Sequence, residues 1–133
     1  MTAITDLDLL LKSMSPELID GNYVFCTVDA ALTDYVQLEP IATFLEKEGL
    51  TLVLTEDVAL QAQLDFDGVF CLITLSVHSS LEAIGLTAAF ATKLGSYGIS
   101  ANVIAGYYHD HIFVQKEKAG EAMIALREFS ETD

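Results

Sequence analysis

One stretch constrains this chain more than any other. The apolar run Val69-Phe70-Cys71-Leu72-Ile73-Thr74-Leu75 feeds into the polar turn Ser76-Val77-His78-Ser79-Ser80, and a long helical pattern leaves it. That is the sequence form of a buried strand, a tight turn and a helix whose first turn meets solvent. The first N–H groups of such a helix have no backbone partners and carry the positive end of its dipole. The turn can therefore hold an anion without any catalytic side chain, and we expect it to hold the carboxylate of a small ligand.

The rest of the chain reads as elements around that turn. Leu7, Leu10 and Leu11 share one helical face, and Ser15-Pro16 ends this short helix because the residue before proline avoids helical angles. Glu17–Asn22 reads as a brief extended piece and Tyr23–Val28 as a buried strand, rich in aromatic and β-branched residues. After a polar loop over Asp29–Gln37, Glu39-Pro40 suits a helix start. That helix would carry Ile41, Ala42 and Leu45 inward and close at Gly49. Leu50–Leu54 reads as a strand, Asp57–Gln63 as weakly helical, and Asp65-Phe66-Asp67-Gly68 as a turn.

The second half shows a similar order. It has a strand at Val69–Val77, a helix at Ser80–Tyr97 closed by Gly98, a strand at Ile99–Ala105, a hairpin partner at His111–Gln115 and a helix at Glu117–Phe129. Adding 49 carries Ala42-Thr43-x-Leu45-x-x-x-Gly49-Leu50-Thr51 onto Ala91-Thr92-x-Leu94-x-x-x-Gly98-Ile99-Ser100, and Val28 onto Val77. The match argues for duplication, with units at 1–66 and 67–133. A repeated strand–helix–strand–strand–helix order points to an α+β fold. We expect two tandem ferredoxin-like βαββαβ sandwiches, each with an antiparallel sheet and its helices on one face.

With 133 residues, 52% of them hydrophobic, two small units need to pack on each other or on a second copy. The formal net charge of −14 is uneven: residues 1–67 hold 13 acids and two lysines, residues 68–133 seven acids and four bases. Such a surface repels phosphate backbones and anionic lipid, so neither nucleic acid nor membrane is an expected partner. The charge serves solubility, with a basic partner for the acidic half as the alternative. Met1–Asp8 lacks the positive segment of a secretory signal, and Cys26 and Cys71 lie in apolar runs. We therefore expect a cytoplasmic protein with reduced thiols.

The second half resembles the ACT domain, a βαββαβ module that senses amino acids and regulates metabolic enzymes. The residues that carry the resemblance are Val77-His78-Ser79-Ser80-Leu81-Glu82-Ala83-Ile84-Gly85, then Tyr97-Gly98-Ile99-Ser100-Ala101-Asn102-Val103-Ile104, then the hairpin Gly106–Val114. The whole is similar to small stand-alone bacterial tandem-ACT proteins and to the ACT pairs of aspartate kinases and arginine sensors. The resemblance implies a non-catalytic protein that binds a small molecule, an amino acid, and is dimeric, with a regulated enzyme as a possible partner. It implies ligand contacts from His78, Ser79, Ser80, Leu81, Glu82, Ala83, Ile84, Gly85 and Leu86, largely through backbone. Ala101 and Asn102 would hold the ligand's amino group. The second unit lacks an obvious last strand, and Glu17–Asp20 is the segment expected to supply one.

Other readings of the same residues stay open. Ser79-x-x-Glu82 is a capping-box pattern, which accounts for both residues structurally while leaving other first-turn N–H groups free. His109-x-His111 has the spacing of a strand chelate, yet no cysteine or further carboxylate has ligand spacing, and a hydrogen-bonded turn histidine explains it as well. A metal-dependent enzyme built on His109 and His111 is therefore the lesser reading. A Ser–His hydrolase lacks the Gly-x-Ser-x-Gly elbow. No catalytic residue, metal or cofactor is expected. An interaction module without ligand is the main alternative to an amino-acid sensor.

Overall fold

The computed structural model describes residues 7–76 and 85–131. It divides into two compact units: residues up to Asp20 together with those from Cys71 onward, and Gly21–Phe70. This spatial grouping differs from a linear division at 66/67, because the N-terminal segment joins the second half.

The first unit begins with helix α1 (Leu7–Ser13) and strand β1 (Ser15–Leu18). It continues with β5 (Phe70–Ser76), α3 (Leu86–Ser96), β6 (Asn102–Ala105), β7 (Asp110–Gln115) and α4 (Ala119–Glu131). β1 pairs antiparallel with β5, Ser15 opposite Ser76 and Leu18 opposite Ile73, and Ile19 N–H donates to Leu72 O at 2.9 Å. The strand order is β1-β5-β7-β6. Counting from β5, that is fourth, first, third, second: a ferredoxin-like βαββαβ sheet whose last strand comes from the N-terminal side. The expectation that residues near Glu17 would complete this sheet is met at Ser15–Leu18.

Alternation along the strands places the core. Ile73 and Leu75 of β5 and Ile112 and Val114 of β7 point to one face. There they meet Leu10 of α1, Leu86, Phe90 and Leu94 of α3, and Ala122, Met123 and Leu126 of α4, all buried. α3 ends in two bonds that close its last turn, Gly98 N–H to Gly95 O (2.9 Å) and Ile99 N–H to Leu94 O (3.0 Å). Gly98 supplies the required φ of +73°, and Ile99, expected to open a strand, instead buries itself against the core behind this cap.

The second unit holds β2 (Tyr23–Val28), β3 (Ala42–Leu45), β4 (Leu50–Thr55) and α2 (Glu56–Gln61). Its strand order is β3-β4-β2. Val24, Cys26 and Val28 of β2 and Leu50, Leu52 and Leu54 of β4 line one buried face with Ala59 of α2, covered by Tyr35, Leu38 and Phe66. α2 is capped by Thr55, whose hydroxyl accepts from Val58 N–H.

The expected helix over Glu39–Gly49 is not formed. Two short 3-10 turns, Leu32–Asp34 and Val36–Leu38, are followed by β3, which pairs antiparallel with β4. The helical spacing of Ile41, Ala42 and Leu45 marks no buried face, since Ile41 and Leu45 are exposed. Gly49 is a glycine of close approach rather than a helix end. A Cβ there would sit 2.8 Å from Thr27 Oγ1 and 3.1 Å from Val28 O. The 49-residue offset accordingly lays strand residues Ala42–Leu45 over helical residues Ala91–Leu94, so it is not a structural equivalence at that point.

Candidate functional site

The expected strand-to-helix site falls between the end of β5 and the start of α3. Ser76 ends β5, and the expected site residues His78, Ser79, Ser80, Leu81, Glu82, Ala83 and Ile84 lie outside the described residues, as does the expected helix start at Ser80. The described helix opens at Leu86. Gly85 is its N-cap with φ +89° and no side-chain cap, and its carbonyl accepts from Ala89 N–H at 2.9 Å. A side chain at Gly85 would be strained by that φ, and its Cβ would meet Leu7 Cδ2 at 3.2 Å. Leu86 is a core residue.

Ala101 and Asn102 stand where β6 begins. Asn102 lies opposite Phe113 of β7, and its Nδ2 donates to Phe113 O at 3.3 Å, which fixes the amide against the hairpin. Ala101 packs on the edge of the helix-covered core.

A groove of about 470 Å³ adjoins Gly85, between α1, α3 and α4. Leu7, Ala88, Ala89, Thr92 and Phe129 form its walls, with Lys93 on its rim. Ala101 and Asn102 do not line it. Lys93 bridges to Glu128 at 2.7 Å and lies 5.4 Å from the centre of the Phe129 ring. Tyr97 OH also donates to Glu128, and these two donors hold the Glu128 carboxyl below its ordinary value. Sequence reasoning missed this arrangement. The signal for it was the spacing of Ala89, Lys93 and Tyr97 on one helical face.

The histidine pair sits on the β6–β7 hairpin. Gly106 N–H donates to His109 O at 2.9 Å to close the turn. His111 projects to the sheet face away from the helices, its Nδ1 3.0 Å from Thr74 Oγ1 of β5. Burial and the adjacent His109 push His111 below the ordinary imidazole value, with Asp110 opposing, while burial raises the Asp110 carboxyl. His109 Nδ1 is buried and has no hydrogen-bond partner among the described residues. Among the described residues no group of three His, Cys, Asp or Glu side chains is placed to hold a metal ion, and no helix is long and apolar enough to cross a membrane.

Comparison with known proteins bears on both halves. A family profile described as ACT domain matches residues 2–72, and a second ACT domain profile matches residues 70–128. A crystal structure of a Vibrio cholerae protein of unknown function, described as a possible transport protein, is 69% identical over 95% of this chain and 97% of that one, with a TM-score of 0.89. A C-terminal regulatory domain ascribed to aspartate kinase from Porphyromonas gingivalis is 14% identical over 91% of this chain and 99% of its own, with a TM-score of 0.63. The ligand-free regulatory subunit of aspartate kinase from Thermus thermophilus is 9% identical over 86% and 95% of the two chains, with a TM-score of 0.59. At such identities the last two share the fold. Among curated proteins nothing matches.

Proposed function

This chain belongs to the ACT domain family, and from that premise we propose that it is a non-catalytic, cytoplasmic regulatory protein that binds a free amino acid. The observation that carries the reading is the pair of ACT domain matches, which together span nearly the whole chain. The likeness in fold to regulatory parts of aspartate kinases supports it.

The ligand site in this proposal is the strand-to-helix segment of the 67–133 unit. Backbone N–H groups between His78 and Leu86 take the carboxylate, as expected of a helix start. Ala101 and Asn102, at the start of β6, take the amino group. The groove beside Gly85 supplies apolar surface next to that segment. A homodimer and a regulated enzyme complete the proposal. Ligand binding shifts the population toward one arrangement through differential affinity, and that arrangement is what the partner reads.

A thermal-shift screen of the twenty amino acids tests this directly. A specific ligand at 100 times its Kd adds about 2.7 kcal/mol, which raises Tm by several degrees for a chain of this size. Asn102→Ala, which also removes the bond to Phe113 O, is expected to reduce that shift while lowering the ligand-free Tm by no more than a few degrees. If no amino acid moves Tm at millimolar concentration, the amino-acid reading is lost.

A further inference from the structure

The outer edge of the sheet in Gly21–Phe70 has features that no amino-acid site requires. β3 ends the order β3-β4-β2, so among the described residues no strand covers its outer side. At the turn beside it, Glu46 and Gly49 exchange backbone hydrogen bonds of 2.9 and 3.3 Å. By antiparallel alternation Phe44 bonds to Thr51 in the same way, which turns the N–H and C=O of Thr43 and Leu45 away from β4. Natural edges are blunted by lysine, proline or inward-pointing charge, and Ala42-Thr43-Phe44-Leu45 has none of these. Its large side chains are open to solvent instead: Phe44 is 70% exposed on one face, Leu45 80% on the other, and Ile41 47% just before them.

Charge decides what can lie along this edge. Glu39 precedes the strand, Glu46 and Glu48 follow it, and residues 21–70 hold nine acids against the single Lys47. Antiparallel pairing of two copies of β3 would set two such net-negative regions side by side, which like-charge repulsion disfavours. A strand with cations at its ends meets the opposite situation. We propose that β3 is a docking edge for an extended segment of a partner protein, with an apolar, strand-forming centre and lysine or arginine at both ends. The segment adds to the sheet through the backbone of Thr43 and Leu45, and its apolar side chains lie beside Phe44 and Leu45. This surface stands independently of the amino-acid reading.

The probe is a fluorescein-labelled synthetic peptide of alternating valine and threonine with two arginines at each end, followed by fluorescence anisotropy. Binding is expected to weaken at least about tenfold as salt rises from about 50 to 500 mM, since the attraction is between screened surface charges. Thr43→Pro removes an outward N–H at an edge position where proline is tolerated, and is expected to weaken binding about tenfold with Tm little changed. Charge reversal through Glu46→Lys with Glu48→Lys is expected to do the same with β3 itself unaltered, Glu46 also giving up its bond from Thr51 Oγ1 of β4. Three results would overturn the proposal: equal binding of a peptide ending in glutamates, unchanged binding by Thr43→Pro, or a dimer that Thr43→Cys cross-links under copper phenanthroline. The last would give the edge to a second copy.

Discussion

Residues 71–131 and 21–70 each open with a buried strand, β5 and β2, yet only the first region goes on to a long helix. From β5 the chain reaches α3, whose Leu86, Phe90 and Leu94 cover the sheet and whose end is closed at Gly98. From β2 it passes through two 3-10 turns into the exposed strand β3, and the sheet is covered by loop residues Tyr35, Leu38 and Phe66 with the six-residue α2. The helix-covered core is correspondingly the larger, with buried residues from α1, α3, α4, β5 and β7. The lesson is that one fold family can cover a sheet with helix or with loop. Both leave an edge strand, but the large side chains of β3, Phe44 and Leu45, stand open to solvent, whereas Val103 and Ile104 of β6 are half-buried.

The largest expected effect tests the cores. Phe90 is fully buried and packs edge-on against Phe129, so Phe90→Ala should cost about 3–5 kcal/mol in urea unfolding. Leu52→Ala in the smaller core should cost about 2–4 kcal/mol, because its loop covering can collapse on the gap more readily. A Leu52→Ala loss larger than that of Phe90→Ala would break the comparison.

Glycines sharpen it at smaller magnitude. Gly49→Ala drives a Cβ against Thr27 Oγ1 and the Val28 carbonyl, where backbone must yield, and should cost about 1–3 kcal/mol. Gly98→Ala meets no atom within 4 Å but sits at φ +73°, so about 1–2 kcal/mol of left-handed strain is expected. Gly95→Ala, inside α3 with open space around it, should instead stabilise by about 0.5–1 kcal/mol. Opposite signs at Gly95 and Gly98, read as Tm changes, would verify that α3 ends where the two capping bonds place its end.

The smallest effect is a pH dependence confined to the hairpin. The folded-state pKa of His111 is lowered, so the unfolded chain takes the proton first. The stability due to neutral His111 is present at pH 7 and is lost as pH falls below about 6.5 toward the folded value. Asp110 acts in the opposite sense and at lower pH, because its raised pKa favours proton uptake by the folded state. Tm should therefore fall modestly from pH 7 to about 5.5, and His111→Gln should flatten that fall. A slope unchanged by His111→Gln would place the titration elsewhere.

The chain's own pattern determined much of this protein. Tyr23–Val28, the end of α3 at Gly98, and the last helix are legible because period-2 or period-3.6 apolarity and a left-handed glycine act locally. The resemblance that brought the family into view rests on residues of the same kind, around the β5–α3 turn and the Tyr97–Ile104 segment. Much of the candidate site falls between β5 and α3, where only Gly85 and Leu86 are described, while Ala101 and Asn102 stand apart at the start of β6. Local pattern failed at Ala42–Leu45, whose spacing suits a helix face equally well. Only the neighbouring edge of β4 decided for a strand, by supplying backbone partners that a short, unburied helix would have to forgo. The same holds for β1. Four residues with one proline carry no strand pattern of their own, and they become a strand because β5, more than fifty positions later, offers an antiparallel edge. Periodicity is a property of a segment, whereas pairing is a property of two, so long-range partners had to be seen in the folded chain.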